Sequence, residues 1–216
     1  MRENIIKAIK ENKIIVIVRG VQREKLIPLT EALYEGGIRL LEVTYSADGR
    51  VSDQSTAENI KMLCEHFREE MYIGAGTVLT QKQVSLTKDS GGKFIISPDT
   101  YKEVIEKTRE LDLVSLPGAM TPSEIQQAHR FGADFVKLFP AANLGTGYIK
   151  AIKAPLSHID LLAVGGINES NLSEYLKAGV CGVGVGANIV NREMLNNGDY
   201  GAIKRLAQIY VSAAGL

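Results

Sequence analysis

Lys137 stands in Asp134-Phe135-Val136-Lys137-Leu138-Phe139, an apolar run interrupted by one amine. With a two-residue side-chain period it shares a face with Phe135 and Phe139. An ammonium on a strand dry on both faces is poorly solvated, and desolvation favours its neutral form. A neutral lysine amine is the nucleophile that attacks a ketone to form an imine. Two plainer readings stand beside this one: a strand-end lysine that snorkels to solvent, and a structural ion pair. Glu42 poses the same question inside Leu40-Leu41-Glu42-Val43-Thr44. An unpaired carboxylate there needs a partner or a raised pKa. It is either a general acid/base working beside Lys137, directly or through a water, or half of a buried pair with no chemistry.

Arg19 follows the apolar run Ile14–Val18. Its guanidinium is suited to clamp a substrate carboxylate, or simply to face solvent. Glycines cluster in Gly165-Gly166-Ile167 and in Gly182-Val183-Gly184-Val185-Gly186. Glycines let backbone N–H groups crowd an anion, and a short helix beginning near Asn188 would aim its positive end there. Tight strand–helix turns use glycine as well. Neither cluster is a Walker loop, and Gly74-Ala75-Gly76-Thr77 lacks the third glycine of a dinucleotide fingerprint.

These residues need elements to hold them. Eight short apolar runs recur: Ile14–Val18, Ile38–Val43, Met71–Gly74, Phe94–Ile96, Leu113–Leu116, Phe135–Phe139, Ile159–Val164 and Val180–Val185. Few alternate polar with apolar, as expected of parallel strands covered on both faces. Helix-length segments lie between them. Thr121-Pro122-Ser123-Glu124 carries an N-cap, a first-turn proline and an acid three residues on. Asn168-Glu169-Ser170 opens another helix that stops at Gly179. Eight strands alternating with eight helices predict an α/β fold, a (β/α)8 TIM barrel, as one domain over residues 1–216. An open doubly wound sheet is the rival. A leading helix, Glu3–Lys10, is expected to cap the barrel's bottom. In a barrel the working residues stand at the C-terminal strand ends. Those ends read Arg19, Glu42, Thr77, Ser97-Pro98, Pro117-Gly118, Lys137, Gly165-Gly166 and Gly184–Ala187.

Composition narrows the function classes. The 216 residues suit one sizeable domain, and 45% are apolar. Lys plus Arg and Asp plus Glu number 25 each, so charge gives no reason to expect nucleic acid or an acidic membrane. The apolar runs are too short to span a bilayer, and Met1–Lys10 lacks the apolar segment of a signal peptide. Two cysteines, Cys64 and Cys181, make no disulfide framework, so a cytoplasmic location is expected. The three histidines His66, His129 and His158 have no metal-ligand spacing, and no metal is expected.

Taken in order, LLEVT around Glu42, IGAGTVL ending at Leu79, FIISP ending at Pro98, LPGAMTPSE at 116–124, VKLFPA around Lys137 and AVGGI at 163–167 resemble one family. It is the 2-dehydro-3-deoxy-phosphogluconate (KDPG) aldolase / 4-hydroxy-2-oxoglutarate aldolase family, and the likeness runs from about Ile14 to about Val190. The resemblance implies a class I aldolase of carbohydrate metabolism, a lyase working as a homotrimer of TIM barrels with no cofactor. It implies cleavage of a phosphorylated 2-keto-3-deoxy acid to pyruvate and glyceraldehyde 3-phosphate, and of 4-hydroxy-2-oxoglutarate to pyruvate and glyoxylate. By motif match Lys137 is the Schiff-base lysine and Glu42 the general acid/base. The resemblance further implies that Thr77 binds the pyruvate carboxylate, that Pro98 and Phe139 shape the pocket, and that Gly165, Gly166 and Gly186 cradle the phosphate. Three positions depart from the pattern. Ser46 stands where many members have a carboxylate-binding arginine, which makes Arg19 the candidate clamp. Ala187 replaces a serine of the phosphate loop. Val164 replaces a threonine, giving an AVGG form that resembles the phosphogalactonate-cleaving branch.

Two alternatives from other classes remain. A phosphosugar isomerase or epimerase would use Glu42 as base and Lys137 as a charge clamp. A non-enzymatic barrel would only bind a phosphorylated ligand.

Overall fold

The first strand is one of the five-residue apolar runs, β1 (Ile14–Val18), and everything else winds around it. The structure, a computed structural model, describes residues 2–216. Met1, where the expected domain begins, lies outside the described residues.

The strands β2 (Leu40–Thr44), β3 (Tyr72–Gly76), β4 (Phe94–Ile96), β5 (Val114–Leu116), β6 (Gly118–Ala119), β7 (Val136–Leu138), β8 (Leu161–Val164) and β9 (Gly182–Val185) complete one parallel sheet in the order β5-β4-β3-β2-β1-β9-β8-β7-β6. The two ends of that order are adjacent stretches of chain. Pro117 separates β5 from β6, and having no N–H it cannot continue the ladder that β5 makes with β4. Its carbonyl instead accepts from Lys137 N at 2.9 Å, flanked by Phe135 N on Ser115 O at 3.2 Å and Phe139 N on Ala119 O at 3.1 Å. One strand thus pairs β4 on one side and β7 on the other, and the sheet closes into a barrel. The rival open sheet is excluded. The sequence marks Leu113–Leu116 as that strand but does not show it continuing past the proline to Ala119.

Helices follow the strands: α2 (Arg23–Glu35), α3 (Asp53–Phe67), α4 (Gln81–Asp89), α5 (Lys102–Glu110), α6 (Pro122–Arg130), α7 (Ala141–Lys153) and α8 (Leu172–Lys177). The chain then adds a short α9 (Arg192–Asn196) before α10 (Tyr200–Ala213). The capping box at Thr121 and Glu124 is present: each side chain accepts a backbone N–H from the other's end of the turn. Gly36 ends α2 against α10, where a Cβ would meet that of Ala207 at 2.4 Å. Only glycine lets the two helices approach so closely.

The apolar side chains divide into two bodies. The larger fills the layer between strands and helices. The smaller is the barrel interior, built from Ile15, Leu40, Phe94, Leu116, Phe135 and Leu162 with their neighbours. The leading helix α1 (Arg2–Asn12) inserts Ile5 and Ile9 into that interior and so forms the barrel's floor. It is tied down by ion pairs of Arg2 with Asp134 and of Lys10 with Asp160, the latter at 2.6 Å.

Candidate active site

Period-two alternation on β7 sends Phe135, Lys137 and Phe139 inward at rising height. Phe135 is fully buried in the interior cluster, Lys137 is 8% exposed and Phe139 is 41% exposed. The lysine amine therefore sits at the boundary between the apolar interior and the open mouth. Its nitrogen lies 4.9 Å from the centroid of the Phe139 ring. Burial pulls its pKa below the ordinary 10.5, the negative charge of Glu42 resists that pull, and the positive charge of Arg19 adds to it.

Glu42 rises from β2 at the height of Ile17 on β1 and Gly74 on β3. It is 1% exposed, and its Oε2 has no hydrogen-bond partner among the described residues. Burial drives its pKa above the usual 4.5, while the charges of Lys137 and then Arg19 oppose the rise. Among the described residues the two groups act on each other through space without a shared hydrogen bond. A buried carboxylate oxygen left open in this way, beside a buried amine, is arranged to take a proton from something placed between them.

The room for that carboxylate comes from β3. A Cβ on Gly76 would lie 1.6 Å from Glu42 Oε1, and one on Gly74 would lie 2.3 Å from the Phe94 ring. The glycines of the Gly74-Ala75-Gly76 run thus open space for inward side chains of the two neighbouring strands. In the sequence this run lacks the third glycine of a dinucleotide fingerprint and forms part of the IGAGTVL motif of the resemblance, and neither reading points to the room it makes for Glu42. The signal was available in its two-residue spacing opposite a strand carrying a buried acid.

The expected substrate-binding residues ring the same mouth. Arg19 is exposed at the end of β1, and its Nη2 donates to Thr77 Oγ1 at 2.9 Å. Thr77 itself has a left-handed backbone, φ 54°. Pro98 is exposed at the end of β4, with its carbonyl 2.2 Å from where a Cβ of Gly118 would be. Gly165 and Gly166 both have positive φ, at 95° and 75°, and Gly165 lies beneath the Phe139 ring. Gly186 and Ala187 line a cavity of about 480 Å³ together with Arg19. A neighbouring cavity of about 410 Å³ is lined by Arg19, Thr44 and Ser46.

The helix expected near Asn188 is not there. Ile189 N and Val190 N both donate to Gly186 O at 3.0 Å, closing a single turn. The Asn188 side chain donates to Ile167 O rather than capping a helix, and Asn191 caps α9 instead. Ser46, in place of a cation, donates to Asp48 at 2.5 Å. Among the described residues no group of three or more His, Cys, Asp or Glu side chains is placed to hold a metal, and no helix is long and apolar enough to cross a membrane.

Residues 5–206 match the model of the family described as "Aldolase: KDPG and KHG aldolase". The chain is 34% identical to a probable 2-dehydro-3-deoxy-6-phosphogalactonate aldolase of Rhizobium meliloti (strain 1021), over 83% of this chain and 82% of that one. It is 32% identical to the KHG/KDPG aldolase of Escherichia coli (strain K12), over 94% and 91%. A crystal structure of the KDPG aldolase from Legionella pneumophila, with pyruvate captured at low pH as a covalent carbinolamine intermediate, superposes with a TM-score of 0.84. It is 30% identical to this chain, over 94% of this chain and 96% of that one. With its closed barrel and its buried lysine and glutamate, this chain belongs to the KDPG and KHG aldolase family.

Proposed function

We propose that the chain cleaves a 2-keto-3-deoxy-6-phospho-aldonate, of the gluconate or galactonate type, to pyruvate and glyceraldehyde 3-phosphate. In the same way it cleaves 4-hydroxy-2-oxoglutarate to pyruvate and glyoxylate. The observation that carries this reading is a desolvated amine facing an unpartnered buried carboxylate, both beneath an arginine.

The neutral Lys137 amine adds to the C2 ketone, giving a carbinolamine that loses water to become a protonated imine. Glu42, directly or through a water, delivers and removes the protons of those steps. The positive imine draws electrons from the C3–C4 bond. Glu42 takes the proton of the C4 hydroxyl, the bond breaks, and the aldehyde departs. The enamine left on Lys137 is protonated at C3, and water hydrolyses the imine to release pyruvate. The imine's own charge serves as the electron sink, so these steps call on no metal. Arg19 and Thr77 hold the substrate carboxylate, with Phe139 and Pro98 forming the walls. Gly165, Gly166, Gly186 and Ala187 offer backbone N–H groups to the phosphate. Val164, in the AVGG form that resembles the phosphogalactonate-cleaving branch, supports the galactonate type. Membership in this family supports a homotrimer of one-domain subunits in the cytoplasm.

Borohydride reduction in the presence of pyruvate tests the central step. The intact chain should gain the mass of a reduced pyruvyl group, mapped to Lys137, and Lys137→Ala should gain nothing and lose turnover. Pyruvate release from gluconate- and galactonate-derived keto acids, with and without phosphate, should persist in EDTA. Absence of an adduct on wild type, or loss of activity in EDTA, would refute the mechanism.

A further inference from the structure

The two cavities at the mouth meet over the end of β1, where both are lined by Arg19, Gly20, Val21 and Arg192. The charged lining of the larger one is one-sided. The larger cavity is lined by Arg19, Lys25 and Arg192 and by no carboxylate. The smaller adds Asp48 and Arg50, which pair with each other at 2.9 Å. Lys25 is committed to the Asn196 side-chain oxygen at 3.2 Å. Arg19 donates to Thr77, and its charge acts on the Glu42–Lys137 pair. That leaves Arg192, which has no ion pair or side-chain hydrogen bond among the described residues and stands beside Gly186 and Ala187.

Two guanidiniums lining the larger cavity, which no carboxylate lines, repel each other, and an anion between or beside them offsets the repulsion. A linear keto acid has its carboxylate next to the ketone, which places that end with Arg19 above the amine. Its remote end must then find a separate group, further from Lys137. We infer that Arg192 binds the terminal phosphate of the substrate in the cavity it shares with Gly186 and Ala187. It is thereby a specificity-determining residue for phosphorylated over neutral aldehydes. The inference rests on the reading of Lys137 as the imine-forming residue. Pattern reading on the sequence passed over Arg192 because it lies beyond the last strand, at the head of a short helix.

The test is aldol addition of pyruvate to glyceraldehyde 3-phosphate and to glyceraldehyde, for wild type, Arg192→Gln and Arg192→Lys. Loss of one charge-assisted contact should lower the kcat/KM preference for the phosphorylated aldehyde about 10- to 100-fold in Arg192→Gln. The unphosphorylated reaction and borohydride trapping of pyruvate should be unchanged, and Arg192→Lys should recover most of the preference. An unchanged preference in Arg192→Gln, or equal losses with both aldehydes, overturns the assignment. If wild type neither traps pyruvate nor adds either aldehyde, the reading of Lys137 is what has failed, and this assignment falls with it.

Discussion

Single residues set the pH behaviour of this site. Burial moves Glu42 up and Lys137 down, so their titrations approach one another. In the proposed mechanism the attacking amine must be neutral and the basic carboxylate ionised, and both forms are gained as pH rises. kcat/KM should therefore climb along an acid limb. The Arg19 charge lowers both pKa values, by attraction to Glu42 and repulsion of Lys137. Arg19→Gln should move that limb, followed as the rate of pyruvate adduct formation, to higher pH. A limb that stays put or moves the other way contradicts the arrangement. The same shifts bear on stability. Lys137, held below its ordinary 10.5, contributes fully only above that value and loses its contribution as pH falls through its folded pKa. Glu42, held above 4.5, contributes fully only below that value and loses its contribution as pH rises through its folded pKa. Near neutrality both groups work against the folded state. Replacing them together, Glu42→Met with Lys137→Met, should stabilise the barrel by about 1–4 kcal/mol at pH 7. For a chain of this length that is a Tm rise of roughly 2–4 °C per kcal/mol, and a lower Tm would count against it.

At the scale of elements, β3 gives up side chains so that its neighbours can use the interior. Gly76→Ala puts a methyl group where the Glu42 carboxylate lies. The carboxylate must move by an ångström or more, and turnover should fall about 100-fold while circular dichroism keeps its barrel signature. Retention of wild-type kcat would show that Glu42 is placed some other way. Much of this architecture was legible in the sequence. Apolar runs such as Ile14–Val18 and Phe94–Ile96 coincide with strands, because a strand covered on both faces leaves no polar positions to blur its ends. Glu42 and Lys137 stood out because a charge in such a run has no cheap explanation. What stayed hidden depends on contacts distant in the chain. Pro117 reads as a strand end, yet it passes the chain from one hydrogen-bonded neighbour to the other. Asn188 reads as a helix start, yet its side chain is taken by Ile167 O on the neighbouring strand exit.

For the whole molecule the decisive feature is that the barrel is filled from below. Ile9 of α1 is fully buried among the interior residues. Its truncation, Ile9→Ala, should cost about 2–5 kcal/mol in urea unfolding, as expected for a core cavity. A cost near zero would mean that α1 rests on the barrel without closing it. The helix is also the far anchor of β7, the strand that carries Lys137. Arg2 and Arg109 both hold Asp134, three residues before Lys137, and Asp134 Oδ2 accepts from Ser115 N at 2.9 Å.

A vessel sealed at its base has one doorway, and the order of traffic follows. The ketone end of the substrate bonds at the greatest depth, while the aldehyde half lies nearer the rim. After the bond breaks, the aldehyde leaves first and the three-carbon acid is last out. In product-inhibition kinetics, pyruvate should therefore compete with the keto acid, whereas glyceraldehyde 3-phosphate should give a noncompetitive pattern. The reversed patterns would require a second exit through a floor that α1 fills.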